Sequence, residues 1–337
     1  MRSGKINWRL WAGLLISVAL LFLAARKVEM DAFAEAVKQA NYIYVLPAVL
    51  LNLSQLWLRS LRWKILLLPL KKIRIAPLFS AMMIGTMANN IFPARFGEIA
   101  RAYVIGQKEN IKKSACLATV FVERLIDGLA VFAILACVLI FFKEPLPVWL
   151  KRSAYFALAL NSVLFISLFM ARTRVNAIVG FMARMLRPIP DRISEKIVHF
   201  IEHFLHGLEI LKDYKQIVFV LLFSILLWIP PAFAIYFILL AFGIQLPLYA
   251  SFLLLVIFCL GVAVPSAPGF IGIYQFMAVI GLALFAVNRS DALSFSIVYH
   301  VANYIPATLI GLIFLFREGL TFGQIRAGVN EEISPES

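Results

Sequence analysis

Glu123, Arg124 and Asp127 are the residues most able to do chemistry, because they lie inside the apolar run 115–142. An ionised side chain there costs on the order of 2.5–3.5 kcal/mol, so something must offset it. Glu123 and Asp127 are four apart and share a helical face, while Arg124 and Asp127 are three apart and within pairing reach. Two uses fit. One is an internal ion pair that fixes helix packing near the cytoplasmic interface. The other is a site in which a guanidinium holds an anionic group while Glu123 or Asp127 binds a proton or cation. Arginine's planar fork suits phosphate.

A second polar stretch, A-N-N-I-F-P-A-R-F-G-E-I-A-R at 88–101, offers Asn89, Asn90, Arg95, Glu98 and Arg101 as substrate contacts. It closes the apolar run 77–92, which falls short of the roughly twenty residues a helical span needs. Pro93 and Gly97 then break the helix, and freed backbone in lipid must be satisfied by protein or by a wet cavity. A third stretch, P-S-A-P-G-F-I-G at 265–272, repeats this design with Pro265, Pro268, Gly269 and Gly272, next to Tyr274 and Gln275 as further substrate contacts. An exposed helix N-terminus there suits a phosphate, and a Pro-Gly turn between two ordinary helices is the plain alternative. In the last apolar run His300, Asn303, Tyr304 and Pro306 form a polar patch. It reads either as a hydrogen-bonded packing set or, with Glu123 and Asp127, as a relay in which His300 and Tyr304 couple a proton or ion.

The elements that must position these residues follow from composition. Of 337 residues 62% are hydrophobic and 15% charged, with mean hydropathy +0.90, which excludes a soluble domain and predicts an all-α polytopic membrane bundle. The net charge of +14 would suggest nucleic acid in a soluble chain. Here the basic residues lie between apolar runs, so a positive-inside bias explains them and no nucleic acid is expected. Spans at 11–25, 42–58, 115–142, 152–171, 217–242 and 294–316, with 77–92 and 249–287 dipping in and returning, place 24 of the 32 basic residues inside and 7 outside. Both termini are then cytoplasmic, and 59–74, with six Lys or Arg and no acid, is a cytoplasmic loop. The stretch 249–287 is also long enough for two full crossings, which would give eight spans with the same ends. The first apolar run is read as a retained helix, not a cleaved leader.

The two dips match. P-L-F opens one at 77–79 and P-L-Y the other at 247–249, each runs to its Pro/Gly break, and each is followed by one long span. A shift of 177 residues lays Glu123 over His300 and Asp127 over Tyr304. By the charge count the long spans run in opposite senses, so halves at about 77–142 and 247–316 form an inverted repeat within a single membrane domain, the arrangement that marks central binding sites in transporters. Between them 172–215 is an amphipathic connector with Ile193, Ile197, Phe200, Phe204, Leu208 and Leu211 on one face. Its other side carries Glu195, His199, Glu202, His203, His206 and Glu209, which reads as a solvated face and not a metal site. Arg184 and Arg187, near Pro188 and Pro190, would attract anionic head groups. Cys116, Cys137 and Cys259 stand at no ligand spacing.

Taken in order, N-N-I-F-P-A-R-F-G-E-I-A-R-A, E-R-L-I-D-G at 123–128 and P-S-A-P-G-F-I-G resemble the flippase-like membrane family related to the transmembrane region of lysylphosphatidylglycerol synthases, which includes hopanoid-associated members. The resemblance covers most of 10–316. It implies a bacterial or archaeal inner-membrane protein that moves a lipid between leaflets, and it carries over Asn90, Pro93, Arg95, Gly97, Glu98, Arg101, Glu123, Arg124, Asp127, Pro268 and Gly269. Gln275 stands near where members often carry an acid. The sequence ends at 337 without the synthases' soluble aminoacyl-transferase domain, so synthesis of a lysyl-lipid is not expected. The expectation is a transporter without a cofactor, whose partners are membrane lipids and either further copies of itself or a lipid-biosynthesis enzyme. A membrane enzyme acting on a head group, or a non-catalytic partner of one, are the alternatives. No nucleophile and base at recognisable spacing supports the enzyme.

Overall fold

The computed structural model describes residues 8–93, 95–142, 146–171, 174–186, 191–206, 214–264, 267–325 and 327. Helix α1 (Trp8–Ala25) and the short amphipathic α2 (Met30–Gln39) precede α3 (Val45–Leu67). Helices α4 (Ile75–Ile91) and α5 (Phe96–Glu109) form the first broken hairpin, and the long α6 (Lys113–Phe141) follows. Then come α7 (Val148–Ala171), α8 (Val175–Met185), α9 (Asp191–His206), α10 (Tyr214–Leu226) and α11 (Ile229–Ala241). The second broken hairpin is α12 (Leu248–Val262) and α13 (Ile273–Leu282), and the long α14 (Arg289–Arg317) follows it. Among the described residues there is no strand, and four helical stretches are long and apolar enough to cross a bilayer: Lys113–Phe141, Lys215–Ala241, Pro268–Phe285 and Arg289–Arg317. The protein is an all-α, polytopic membrane bundle.

Local sequence explains both hairpins. Phe92 precedes a proline, which disfavours helical backbone, and it is extended (φ −105°, ψ 148°); Arg95 then turns the chain with φ 54°. The returning α5 meets α4 backbone to backbone: a Cβ on Gly97 would lie 1.8 Å from the Gly85 carbonyl oxygen. Asn89 Oδ1 accepts the Gly97 N–H at 2.7 Å, so the side chain before the break holds the amide after it. In the second hairpin Gly269 (φ 72°) and Gly272 (φ 87°) adopt backbone that other residues rarely enter. Gln275 Oε1 accepts the Gly272 N–H at 2.7 Å, so this helix start is capped from within.

The packing has an exchanged pattern. α4 packs on α5 and α5 on α6; α12 packs on α13 and α13 on α14. The first helix of each hairpin also packs on the long helix of the other half, α4 on α14 and α12 on α6. α3 and α11 pack on each other beside them, and α6 and α14 each span 29 residues.

Two expectations need correction or limits. The second apolar run does not end at residue 58: α3 continues to Leu67, so Arg59 and Arg62, read as part of a basic loop, are helical, and Arg62 has no solvent exposure. The physical reason is pairing, since acids on α6 meet these guanidiniums and Trp63, Leu66 and Leu67 continue the apolar core beyond them. Of the connector, α9 packs on α6 and α8, with Phe204 against Phe121. His199 is exposed and 3.6 Å from Glu202. Pro265, Arg187, Pro188, Pro190, Leu208, Glu209 and Leu211 lie outside the described residues, as do the side chains of Ile193, Glu195, His203 and His206. Among the described residues no group of three metal-ligating side chains occurs.

Candidate functional site

The first half gathers its charges into one network. Glu123, with no solvent exposure, lies 3.0 Å from Arg62 Nη2, 3.0 Å from Arg124 Nη2, 3.1 Å from Arg101 Nη1 and 3.8 Å from Arg59 Nε. Asp127 accepts from Arg59 Nη2 at 2.8 Å and from Arg62 Nη1, and lies 3.5 Å from Arg124 Nη1. Glu98 lies 3.1 Å from Arg101 and 3.2 Å from Arg124. Arg62 also donates to Ser224 Oγ at 2.7 Å, and the Arg101 guanidinium lies 4.9 Å from the centroid of Trp63. Four guanidiniums therefore face three carboxylates, and α3, α5 and α6 are cross-linked by charge. Such a cluster is tolerable in a low-dielectric interior only because each member is paired.

The second half uses neutral hydrogen bonds at the matching place. His300 Nε2 lies 2.8 Å from the Gly269 carbonyl oxygen, which can only accept, so Nε2 carries the hydrogen. His300 Nδ1, 3.2 Å from Gln275 Nε2, then accepts from that amide. Tyr274 stacks on the His300 ring, and Tyr304 meets the ring edge-on. Across the halves, Tyr304 OH donates to the Asn90 carbonyl oxygen at 3.1 Å and Asn90 Nδ2 donates to Thr308 Oγ1 at 2.7 Å. Arg95 Nη2 donates to the Val262 carbonyl oxygen at 3.0 Å, tying the first break to the end of α12. Pro306 bends no bond away from this set: Thr308 Oγ1 donates to the Tyr304 carbonyl at 2.7 Å, one helical turn back.

Between the two hairpins lies a cavity of about 400 Å³, within the size range of small-ligand sites. Asn89, Asn90, Arg95, Gly97, Glu98, Arg101, Arg124, Asp127, Gly269, Tyr274, His300 and Tyr304 all line it. Glu123, Gln275, Pro93, Pro268 and Gly272 are not on its wall. Glu123 is the counter-ion behind the guanidiniums, and Gln275 is used up on Gly272 and His300. Asn89 and Asn90 face the cavity with at least one polar atom each already engaged. Arg124 and Arg59 are the more open guanidiniums of the network, with side chains 28% and 15% exposed.

Sequence reasoning missed Arg59 and Arg62, and with them Asn52 and Gln55. The signal was present: 52, 55, 59 and 62 recur at three- and four-residue intervals, a polar stripe down a mostly apolar helix. Trp228 and Asn161 also line the cavity and gave no sequence signal, because each is a lone residue in an apolar run.

Residues 10–311 match the family described as the lysylphosphatidylglycerol synthase TM region. The chain belongs to that family. A UPF0104 membrane protein of Methanothermobacter thermautotrophicus is 24% identical over 313 residues, covering 88% of this chain and 91% of the relative. A UPF0104 membrane protein of Methanocaldococcus jannaschii is 23% identical, covering 68% and 92%. The Haloferax volcanii glycosyltransferase AglD is 25% identical over 89% of this chain, which spans 53% of AglD. No solved structure matches. The family match covers both broken hairpins, both long helices and so every wall of the cavity between them. Membership in the lysylphosphatidylglycerol synthase TM family, with the apolar helices, places the protein in a membrane.

Proposed function

We propose that this protein is a transporter that moves a lipid with an anionic head group between the leaflets of a bacterial or archaeal cytoplasmic membrane. The observation that carries it is the cavity wall, on which the guanidiniums of Arg59, Arg95, Arg101 and Arg124 outnumber the carboxylates of Glu98 and Asp127. A surplus of positive charge on an intramembrane wall attracts an anion, and Arg59 and Arg124 face the cavity to receive its oxygens by paired N–H donors. The acyl or prenyl tails stay in the bilayer. The exchanged packing of α4 on α14 and of α12 on α6 supports an inverted repeat, in which one half rocks against the other about the shared cavity. The excess of basic residues in the segments assigned to the inside supports a cytoplasmic position for both termini.

The test is head-group translocation in proteoliposomes, read as loss of fluorescence when labelled lipid in the outer leaflet is bleached. Labelled phosphatidylglycerol is expected to cross at least tenfold faster than in protein-free vesicles, and Arg59→Ala with Arg124→Ala is expected to abolish the gain. Equal rates with and without protein, for anionic and zwitterionic lipids alike, would remove the transport reading. The similarity to a protein named a glycosyltransferase, about half of whose length this chain spans, favours a second reading: a membrane module that presents a lipid to a separate enzyme. Chemical change of the lipid in the same vesicles would point instead to an enzyme.

A further inference from the structure

The charge network pairs its own members, but the cavity wall beside it also carries polar atoms that the protein does not pair. Arg124 Nε has Glu98 3.2 Å away, but among the described residues Asn52 Nδ2 on α3, Asn161 Oδ1 on α7 and Trp228 Nε1 at the start of α11 are buried on that wall with no hydrogen-bond partner in the protein. Asn52 is 6% exposed, so the amide is held out of bulk solvent at a cost that a native fold normally avoids. All three line the same cavity. Asn52 lies about two turns from Arg59 on the same stripe of α3. The Arg59 guanidinium lies 6.0 Å from the centroid of the Trp228 ring. Asn161 lies over Gly128, the residue after Asp127, where a Cβ would come within 2.1 Å of its Nδ2. Gly128 therefore lets an amide of α7 reach the wall beside the charge network.

The chemistry of these atoms selects a ligand. Two are donors and need lone pairs, and one is an acceptor and needs a hydrogen. An ammonium group has no lone pair and would face surplus guanidinium charge. A bare phosphate oxygen has no hydrogen for Asn161. Hydroxyl groups both donate and accept, and they suit an amide whichever way it turns. Aromatic faces at Tyr274, Phe258 and Tyr299 line the same cavity and offer apolar surface to the C–H face of a ring.

Resting on the anion-binding reading above, we infer that the head group is a phosphate ester of a neutral polyhydroxylated ring, a sugar or a cyclitol. Its phosphate lies against Arg59 and Arg124 and its hydroxyls satisfy Asn52, Asn161 and Trp228. The lipid part is either a diacylglycerol or a polyprenyl chain.

The experiment measures binding to the purified full-length chain in detergent with short-tailed probes. These are dioctanoyl phosphatidylinositol and farnesyl glucosyl phosphate, against dioctanoyl phosphatidic acid, farnesyl phosphate and dioctanoyl phosphatidylethanolamine. At least one hydroxylated probe is expected to bind tenfold or more tighter than the bare phosphate with the same tail, and which of the two wins identifies the tail. Trp228→Phe, which keeps a ring and removes only the N–H, is expected to weaken that probe about fivefold, and Asn161→Ala about tenfold, with less than threefold loss for the bare phosphate. Equal affinity for hydroxylated and bare phosphates, or tighter binding of the amine-bearing probe, overturns the inference and leaves the anion site standing. A neutral glucosyl diacylglycerol binding as tightly as the phosphate probes keeps the hydroxyl subsite and removes the anionic reading instead. No binding of any probe overturns both.

Discussion

The two long helices solve the same positional problem with different chemistry. α6 and α14 have equal length, each follows a broken hairpin, and each packs on the first helix of the opposite hairpin. At corresponding positions along the helix α6 carries Glu123 and Asp127 among guanidiniums, whereas α14 carries His300 and Tyr304 inside a set of neutral donors and acceptors. The hairpins differ likewise. The first closes glycine on backbone, Gly97 against the Gly85 carbonyl, and the second closes glycine on side chain, with Gly261 against Met277. The charged half is thus rigidly determined, since no member can move without exposing an unpaired charge. The neutral set holds no ionised member, so breaking one of its contacts strands a hydrogen-bonding group and not a charge.

Four substitutions sharpen or break that contrast. The largest effect is expected for Arg62→Ala, which takes a partner from both Glu123 and Asp127. Breaking a buried pair costs about 3–5 kcal/mol, read as a fall in the thermal midpoint of the purified protein; a loss under 1 kcal/mol would mean the network is wet and loosely held. Next is Gly97→Ala, whose Cβ would press on a carbonyl oxygen, at a cost of about 1–3 kcal/mol or more. Gly261→Ala meets side chains and no backbone, chiefly the flexible Met277 with Ile273 Cγ2 at 3.2 Å, and is expected to cost less than half as much. Equal costs would show that the two hairpins are equally stiff.

His300→Leu is expected to cost about 1–3 kcal/mol by stranding the Gly269 carbonyl and the Gln275 amide, below the Arg62 value. A larger loss than for Arg62→Ala would reverse the comparison between the halves.

The smallest effect lies outside the spans, where Glu318 follows α14. Burial alone would raise its carboxyl, but hydrogen bonds from Lys108 Nζ, at 2.6 Å, and Ser80 Oγ, at 2.8 Å, outweigh this and hold it below its ordinary 4.5. A depressed carboxyl stabilises the fold above the unfolded value, and the contribution fades as pH falls through the folded one. Glu318→Gln should therefore lower stability by no more than about 1 kcal/mol at pH 7, the contact being partly solvated. The difference from the parent should shrink as pH falls below 4.5 and disappear once the carboxyl is protonated in the folded protein as well; a difference independent of pH would mean the contact is steric and not ionic.

How far these features were legible depends on whether the signal is local. The P-A-R-F-G-E break, Gly269 and Gly272 could be read directly, because proline and glycine constrain their own backbone and that of the adjacent residue. Glu123, Arg124 and Asp127 stood out because lipid makes any charge conspicuous. Arg59 and Arg62 were assigned to a loop for the same reason in reverse: a basic cluster at the end of an apolar run normally marks the membrane surface, and its acids were sixty residues away. Gln275 looked like a ligand contact, yet its amide is engaged by the Gly272 N–H and by His300, and Asn89, which does line the cavity, gives its Oδ1 to the Gly97 N–H, since a broken helix in lipid must first satisfy its own N–H groups.

The sequence by itself determined a membrane-embedded helical protein, its family, the two broken hairpins and the presence of costly intramembrane charge, because hydropathy, proline, glycine and ionisation act residue by residue. Only the tertiary structure decided which guanidinium answers which carboxylate, that Glu123 stands behind the cavity wall, and that Asn52, Asn161 and Trp228 line that cavity with a polar atom each unpartnered. Those outcomes are differences between pairings of distant segments, and a pairing has no energy until the chain has folded to bring both members together.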